Sequence, residues 1–274
     1  MSKVVFSGCS FTAGTGWNIT DIDADDKDHP ELWVNLACNQ IPILKNLDVV
    51  NVGKCGASNT EIFKNTVKVM VDLGSDIDMF FCQWTSMPRY SFNVGLETWA
   101  TPEGLTRTES SKFDVNLSDG TTYSRKYLDD LLDRLLVLHH LHGEILKVVE
   151  YSNILQKLSK KFNITLYFIN GLCPWDNNYF VKLQNAMPED FTPFTKKEIL
   201  AIESKNDADI FKLYTLIHNE YNQAGGIDPT QWVNLYESMF SDRNRIDTNY
   251  DQLHPGTQSN FKYFQQLKQF LESQ

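Results

Sequence analysis

Short apolar runs, each separated from the next by a stretch long enough for a helix, constrain this chain more than any other feature of its sequence. Val4 to Ser7 stops at Gly8, Asp48 to Val52 stops at Gly53, and Ile164 to Asn170 stops at Gly171. Ile77 to Gln83 is a further run, and Trp232 to Tyr236 makes a fifth. Helical spacing lies between them. Leu32, Trp33, Leu36, Ala37 and Ile41 share one face. Ser58-Asn59-Thr60-Glu61 has the form of a capping box, and the stripe Ile62, Phe63, Val67, Met70 follows it towards Gly74. A long helical stretch begins at Leu128, Leu131, Leu135 and Leu138 and continues, with a break expected at Gly143, to Phe162. Asn260 to Ser273 is a closing amphipathic helix. Alternating strands and helices with near-continuous apolar strands predict an α/β fold whose parallel, roughly five-stranded sheet is covered on both faces. Ligand sites in such sheets lie at the carboxyl ends of the strands. The residues just past each run are therefore the ones to inspect.

Two stretches break the alternation. Residues 91–126 are rich in Ser, Thr and Gly and contain Asp119-Gly120, a hairpin-turn dipeptide. Residues 176–207 are polar and aromatic, with Pro188 and Pro193. Both read as insertions into a single domain spanning 1–274, with no internal repeat.

Composition excludes several classes. The chain carries 25 Lys and Arg against 35 Asp and Glu, a net charge of −10. Phosphate neutralisation needs clustered cations, so nucleic acid is a poor partner. No run approaches the roughly 18–20 apolar residues of a membrane span. Lys3 is followed by only three apolar residues before Ser7 and Gly8, which is too short for a secretory signal, so a cytoplasmic location is expected. The 5 cysteines include no CxxC pair, which argues against a structural zinc site and a disulfide framework. Cys9, Cys55 and Cys82, at or just past the ends of apolar runs, read as buried or half-buried free thiols.

Two constellations can carry chemistry. Ser10 follows Gly8-Cys9 at a strand-to-loop turn, where a side chain meets a ligand. Serines are also common in turns for purely local hydrogen bonding. No GxxxxGK[ST] phosphate loop is present, and Gly14-Thr15-Gly16 lacks the third glycine of a dinucleotide fingerprint. Near the other end, Asp251-Gln252-Leu253-His254-Pro255-Gly256 lets one loop hold a carboxylate beside an imidazole. The carboxylate can fix the tautomer and leave the other ring nitrogen for a serine hydroxyl. The structural alternative is a surface histidine and an aspartate that caps the last helix.

A serine near the N-terminus followed by Asp-x-x-His near the C-terminus resembles the SGNH hydrolases, or GDSL-type esterases and lipases. The resemblance lives in four short blocks. Gly8-Cys9-Ser10-Phe11 matches block one, with Cys9 where the family often has Asp. Asn51-Val52-Gly53-Lys54-Cys55-Gly56-Ala57-Ser58 matches block two, and Asp251 to Pro255 matches block five. Block three departs: the family has Gly-x-Asn-Asp, whereas here Gln83-Trp84-Thr85-Ser86-Met87-Pro88-Arg89 follows, with Ser86 where the Asn falls.

The resemblance implies a three-layer sandwich around a flavodoxin-like sheet. It implies Ser10 as nucleophile, His254 as base and Asp251 as its orienting acid. The oxyanion donors would be the N–H groups of Ser10 and Gly56, joined by Ser86 or by Gln83, Thr85 or Asn59. Arg89 and Trp84 are candidate substrate-binding residues, Arg89 for an anionic group. The implied activity is hydrolysis of a small acyl ester, with a carbohydrate acetyl ester preferred, and neither cofactor nor metal is implied. A non-catalytic binding protein and an O-acyltransferase are the rival readings, the first motivated by the missing Asn. Family members without a signal occur in bacteria and phages.

Weaker patterns carry less. Asp21 to Asp28 begins like a calcium loop but has Asp26 where the turn needs Gly and Leu32 where the bidentate Glu belongs. His139-His140-Leu141-His142 with Glu144 has helical spacings, but no second cluster completes a metal site.

Overall fold

The computed structural model describes residues 2–17, 24–85, 92–95, 98–100, 115–116, 122–123, 141–171, 229–234, 239–240, 245–249 and 254–274. In chain order the elements are β1 (Lys3–Ser7), α1 (Ser10–Ala13), α2 (Trp33–Gln40), β2 (Asp48–Asn51), α3 (Asn59–Leu73) and β3 (Ile77–Trp84). Four short strands follow: β4 (Phe92–Gly95), β5 (Thr98–Ala100), β6 (Val115–Asn116) and β7 (Thr122–Tyr123). Then come α4 (Leu141–Phe162), β8 (Thr165–Asn170) and α5 (Thr257–Glu272).

The chain is α/β, and its main sheet has four parallel strands in the order β2-β1-β3-β8. The register pairs Phe6 with Phe81 and Phe81 with Tyr167. In-register residues of parallel strands share a face, so the Phe6 and Phe81 rings stack at 4.9 Å, and Phe81 stacks on Tyr167 at 5.5 Å. Trp33 of α2 meets Phe6 edge-on, and Phe270 of α5 meets Tyr167 the same way. The alternate residues face α3 and α4. Thr66 of α3 donates to Ser7 Oγ at 2.9 Å and lies 3.8 Å from Cys82 Sγ, and Trp84 stacks on Phe168. Both faces of β1 and β3 are covered from Val4 to Ser7 and from Met79 to Trp84, which is why these stretches are mostly apolar, whereas Asp78 near the start of β3 is exposed. β2 is an edge strand and stays partly open, with Val49 exposed.

The fifth expected strand, Trp232 to Tyr236, contributes one parallel bridge between Phe168 and Trp232; residues 235–238 lie outside the described residues. Beyond that bridge the chain still follows β8. Met239 N–H donates to Asn170 O and Phe240 N–H to Gly171 O, both at 2.8 Å. Gly143 does not break its helix, since α4 runs through it from Leu141. A helix tolerates one glycine at a cost of about 1 kcal/mol. Its start at residues 128–140 lies outside the described residues. α4 ends where Asn163 takes φ +58° and Ile164 N–H turns back to Ser159 O at 2.9 Å.

Within the first expected insertion, β6 and β7 pair antiparallel as Val115↔Tyr123 and Asn116↔Thr122, bracketing Asp119-Gly120. β4 and β5 form a second hairpin there. The second insertion, 176–207, lies outside the described residues. Among the described residues, no helix is long and apolar enough to cross a membrane.

The last helix starts at Thr257, three residues before the apolar stripe suggests, because Asp247 caps it. Its Oδ1 accepts from Ser259 N–H at 2.8 Å and Ser259 Oγ at 2.6 Å, and its Oδ2 accepts from Gln258 N–H at 2.9 Å. Burial alone would raise this carboxyl. The Ser259 hydroxyl and the amides of Gln258 and Ser259 outweigh it and hold the group below its usual value of 3.8. A depressed folded-state value stabilises fully above the unfolded value and is lost as pH falls through the folded one. Asp247→Asn should therefore flatten the fall in stability below about pH 4 and cost about 1 kcal/mol at neutral pH. Urea unfolding at a series of pH values, with α5 followed by helical circular dichroism, measures both.

Candidate functional site at the carboxyl edge of the sheet

Past β1 the chain turns at Gly8 and enters α1, whose first residue is Ser10. Thr12 and Ala13 N–H both donate to Cys9 O at 3.0 Å, and Gly14 N–H returns to Ser10 O at 3.0 Å. This single tight turn leaves Ser10 only 1% exposed, and among the described residues its Oγ has no hydrogen-bond partner. A buried hydroxyl without a partner is unusual in a folded protein and calls for an explanation.

The loop after β2 is laid against the same turn. Val52 N–H donates to Phe6 O and Lys54 N–H to Gly8 O, extending the β1–β2 ladder past its end. Asn51 Nδ2 donates to Thr12 O at 2.7 Å, while its Oδ1 accepts from Gly53 N–H. Gly56 then turns with φ +69°, a backbone conformation that glycine takes without strain. The expected capping box is present. Glu61 N–H donates to Ser58 Oγ, Ser58 N–H donates to Glu61 Oε2, and Lys54 pairs with Glu61 at 3.3 Å. Among the described residues, neither the Ser10 nor the Gly56 N–H has an acceptor.

At the end of β3 two of the proposed oxyanion donors are already engaged. Gln83 Oε1 accepts from Cys9 N–H at 2.9 Å and Thr12 Oγ1 at 3.0 Å, and its Nε2 donates to Trp84 O. Asn59 Nδ2 donates to Thr85 O at 3.1 Å and its Oδ1 accepts from Thr85 N–H at 2.8 Å. Each amide thus has its oxygen and one of its two N–H hydrogens engaged. Thr85 is fully buried, and among the described residues its Oγ1 has no partner. Ser86 and Arg89 lie outside the described residues. Trp84 is 2% exposed and packs between Phe168 and Tyr151, which makes it a core residue with an unpartnered Nε1.

His254 is buried, and its ring meets that of Phe11 at 5.5 Å and 61°. Phe11 is the residue after Ser10, so the structure brings the two ends of the chain together at β1. Phe240 stacks on the Phe11 ring at 5.0 Å. The His254 loop is held on both sides: Asn249 N–H donates to His254 O at 2.8 Å, and Asn260 Nδ2 donates to Pro255 O and Gly256 O. Asp251 lies outside the described residues, but the capping role open to it belongs to Asp247.

A cavity of about 400 Å³ lies on the other side of this loop, lined by Trp17, His29, Glu31, Asp247 and Thr257 among others. Trp17 and His29 stack at 3.8 Å, and Thr257 Oγ1 donates to Glu31 at 2.7 Å. Neither Ser10 nor His254 lines it. Burial pushes the Cys38 and Cys82 thiols up to about 12, which keeps them protonated and unreactive. Cys9 is buried and Cys55 half-buried, and neither is in a disulfide. Among the described residues, no three His, Cys, Asp or Glu side chains group as metal ligands.

Asp247, Asn260 and the engagement of Gln83 and Asn59 carry no local sequence signature. Their longer contacts span from the 11 residues between Asp247 and Gln258 to the 227 between Trp33 and Asn260. No family model matches this sequence, and no curated protein matches it.

Proposed function

We propose that the protein is a serine ester hydrolase of the SGNH type, built as that family's three-layer α/β sandwich. The observation that carries this reading is the buried, unpartnered Ser10 hydroxyl on the turn whose next residue, Phe11, packs against His254. A hydroxyl free of competing partners suits a nucleophile; Ser10 Oγ makes no hydrogen bond to His254 in this structure, so the reading requires the imidazole, which packs on the neighbouring Phe11, to reach it when substrate binds. Ser10 Oγ attacks the ester carbonyl carbon while His254 takes its proton. The oxygen that becomes negative is held by the N–H groups of Ser10 and Gly56. His254 returns the proton to the departing alcohol, leaving an acyl-serine. Water then attacks, gives its proton to His254, and the acid leaves as Ser10 is restored. Asp251 orients the imidazole. The substrate class is a short acyl ester, with an acetylated carbohydrate preferred.

For the third oxyanion donor, Thr85 is favoured over Ser86. Ser7 and Cys82 are paired in register, so Ser10 and Thr85 each stand three residues beyond the same rung of adjacent strands. Both are buried hydroxyls without partners. Through its side chain, Asn59 ties Thr85 to the start of α3, three residues after Gly56.

A serine-directed fluorophosphonate should label Ser10, with the adduct located by mass spectrometry, and Ser10→Ala should not be labelled. Labelling elsewhere, or none, would remove the nucleophile and favour a non-catalytic binding protein.

Hydrolysis of a chromogenic acetyl ester should rise with pH, because only neutral imidazole accepts the serine proton. A rate unchanged between pH 5 and 8 contradicts the triad. Transfer of the acyl group to an added sugar in preference to water would identify an acyltransferase.

Thr85→Val keeps shape and removes the hydroxyl. It should lower kcat by roughly 10- to 100-fold with KM nearly unchanged, since the lost bond belongs to the transition state. Ser86→Ala should change neither. The reverse pattern would return the role to Ser86.

A further inference from the structure

The ends of β1, β3 and β8 meet around one side chain. Gln83 is fully buried and fills the space between Gly8, just past β1, and Gly171, just past β8. A methyl group built at Gly8 would overlap Gln83 Oε1 and Thr12 Oγ1; one built at Gly171 would overlap Gln83 Nε2. The two glycines that end these strands therefore do more than stop them: they make room for the glutamine.

What the glutamine does there is specific to an amide. Its oxygen takes two donors, the Cys9 N–H at 2.9 Å and the Thr12 hydroxyl at 3.0 Å. Its nitrogen gives a hydrogen to Trp84 O, which also accepts from Gly171 N–H at 3.0 Å. A carboxylate could satisfy the first pair but would set an oxygen against the Trp84 carbonyl. A thioether of similar length could satisfy neither. Only a group with an acceptor at one position and a donor at the other closes the arrangement.

We infer that Gln83 is a positioning residue for Ser10, clamping the turn that presents its hydroxyl and amide. The clamp grips the residues on both sides of the serine: Cys9 through its amide and Thr12 through its side chain. Cys9 O in turn accepts from Thr12 and Ala13 N–H and starts the α1 turn. Without Gln83 these contacts leave a buried amide and a buried hydroxyl with no partner, and the turn can relax towards other acceptors. The strands stay paired through their own ladders, so the loss falls on the turn rather than on the sheet. The inference rests on the esterase reading for its catalytic consequence and on geometry alone for the clamp.

The test compares the wild type with Gln83→Met, which keeps length and burial but neither hydrogen-bonding pole, and with Gln83→Glu, which keeps the acceptor. Saturation kinetics with a fluorophosphonate separate the affinity of the first encounter from the rate of serine attack. The expected result for Gln83→Met is a fall of at least tenfold in the attack rate with the encounter affinity unchanged. Gln83→Glu should fall between it and wild type. Attack by Gln83→Met at the wild-type rate would overturn the inference.

Amide hydrogen exchange provides a second reading that needs no reaction. The Cys9 N–H should be protected in the wild type and exchange at least tenfold faster in Gln83→Met, with the central amides of β1 and β3 unchanged. A wild type that fails to label at Ser10 rejects the esterase reading and leaves the clamp to be judged by exchange. Equal Cys9 exchange in both proteins rejects the clamp itself. Should Gln83→Met not fold, Gly171→Ala, which displaces the glutamine from its slot, replaces it in both measurements with the same expected outcomes.

Discussion

The parallel pairing of β1 with β3 is the constraint from which the rest follows. Phe6 and Phe81 stack because this register places them side by side, and their rings provide the surface on which α2 and α5 settle through Trp33, Tyr167 and Phe270. Burying one such ring contributes about 1.5–3 kcal/mol, so a stack of several outweighs any single surface contact. The same pairing sends Ser7 and Cys82 to the opposite face, where Thr66 of α3 meets both. A slip of one residue would exchange the two faces and place these polar atoms among the phenylalanines.

Parallel strands all end at the same edge, and there the ladder leaves peptide groups with no strand to pair with. The protein answers this with amide side chains. Asn51, Asn59, Asn234 and Asn260 each donate to a backbone carbonyl and accept from a backbone N–H, as a peptide group would. Gln83 does the same between Cys9 and Trp84. Loops that carry no regular structure of their own are thereby held with the geometry of a sheet. The hydroxyls of Ser10 and Thr85 are left without partners among the described residues, as are Trp84 Nε1 and Asn170 Nδ2 near the same edge.

In the proposed hydrolase the hydroxyl of Thr85 takes the place of the asparagine of the family pattern. The two amides near the end of β3 hold backbone groups, and the Thr85 hydroxyl beside them has no partner among the described residues. A hydroxyl on a rigid frame costs little reorganisation when charge develops nearby, which partly offsets its shorter reach.

From the sequence alone came the order of strands and helices, the parallel sheet, the capping box of Ser58 and Glu61, and the closeness of Ser10 to a strand end. These are local properties: periodicity, glycine stops and cap residues act within a few positions of one another. The capping of α5 by Asp247 and the engagement of Gln83 and Asn59 were decided only by tertiary structure. Asp247 reaches 11 and 12 residues along the chain, Asn59 reaches 26 and Gln83 reaches 74, and at such separations a side chain's partner is set by which segments lie side by side. Gly8 and Gly171 show the division most plainly. Their sequence positions mark them as the ends of strands; only the packing of β1, β3 and β8 around Gln83 shows that their missing side chains leave the space it occupies.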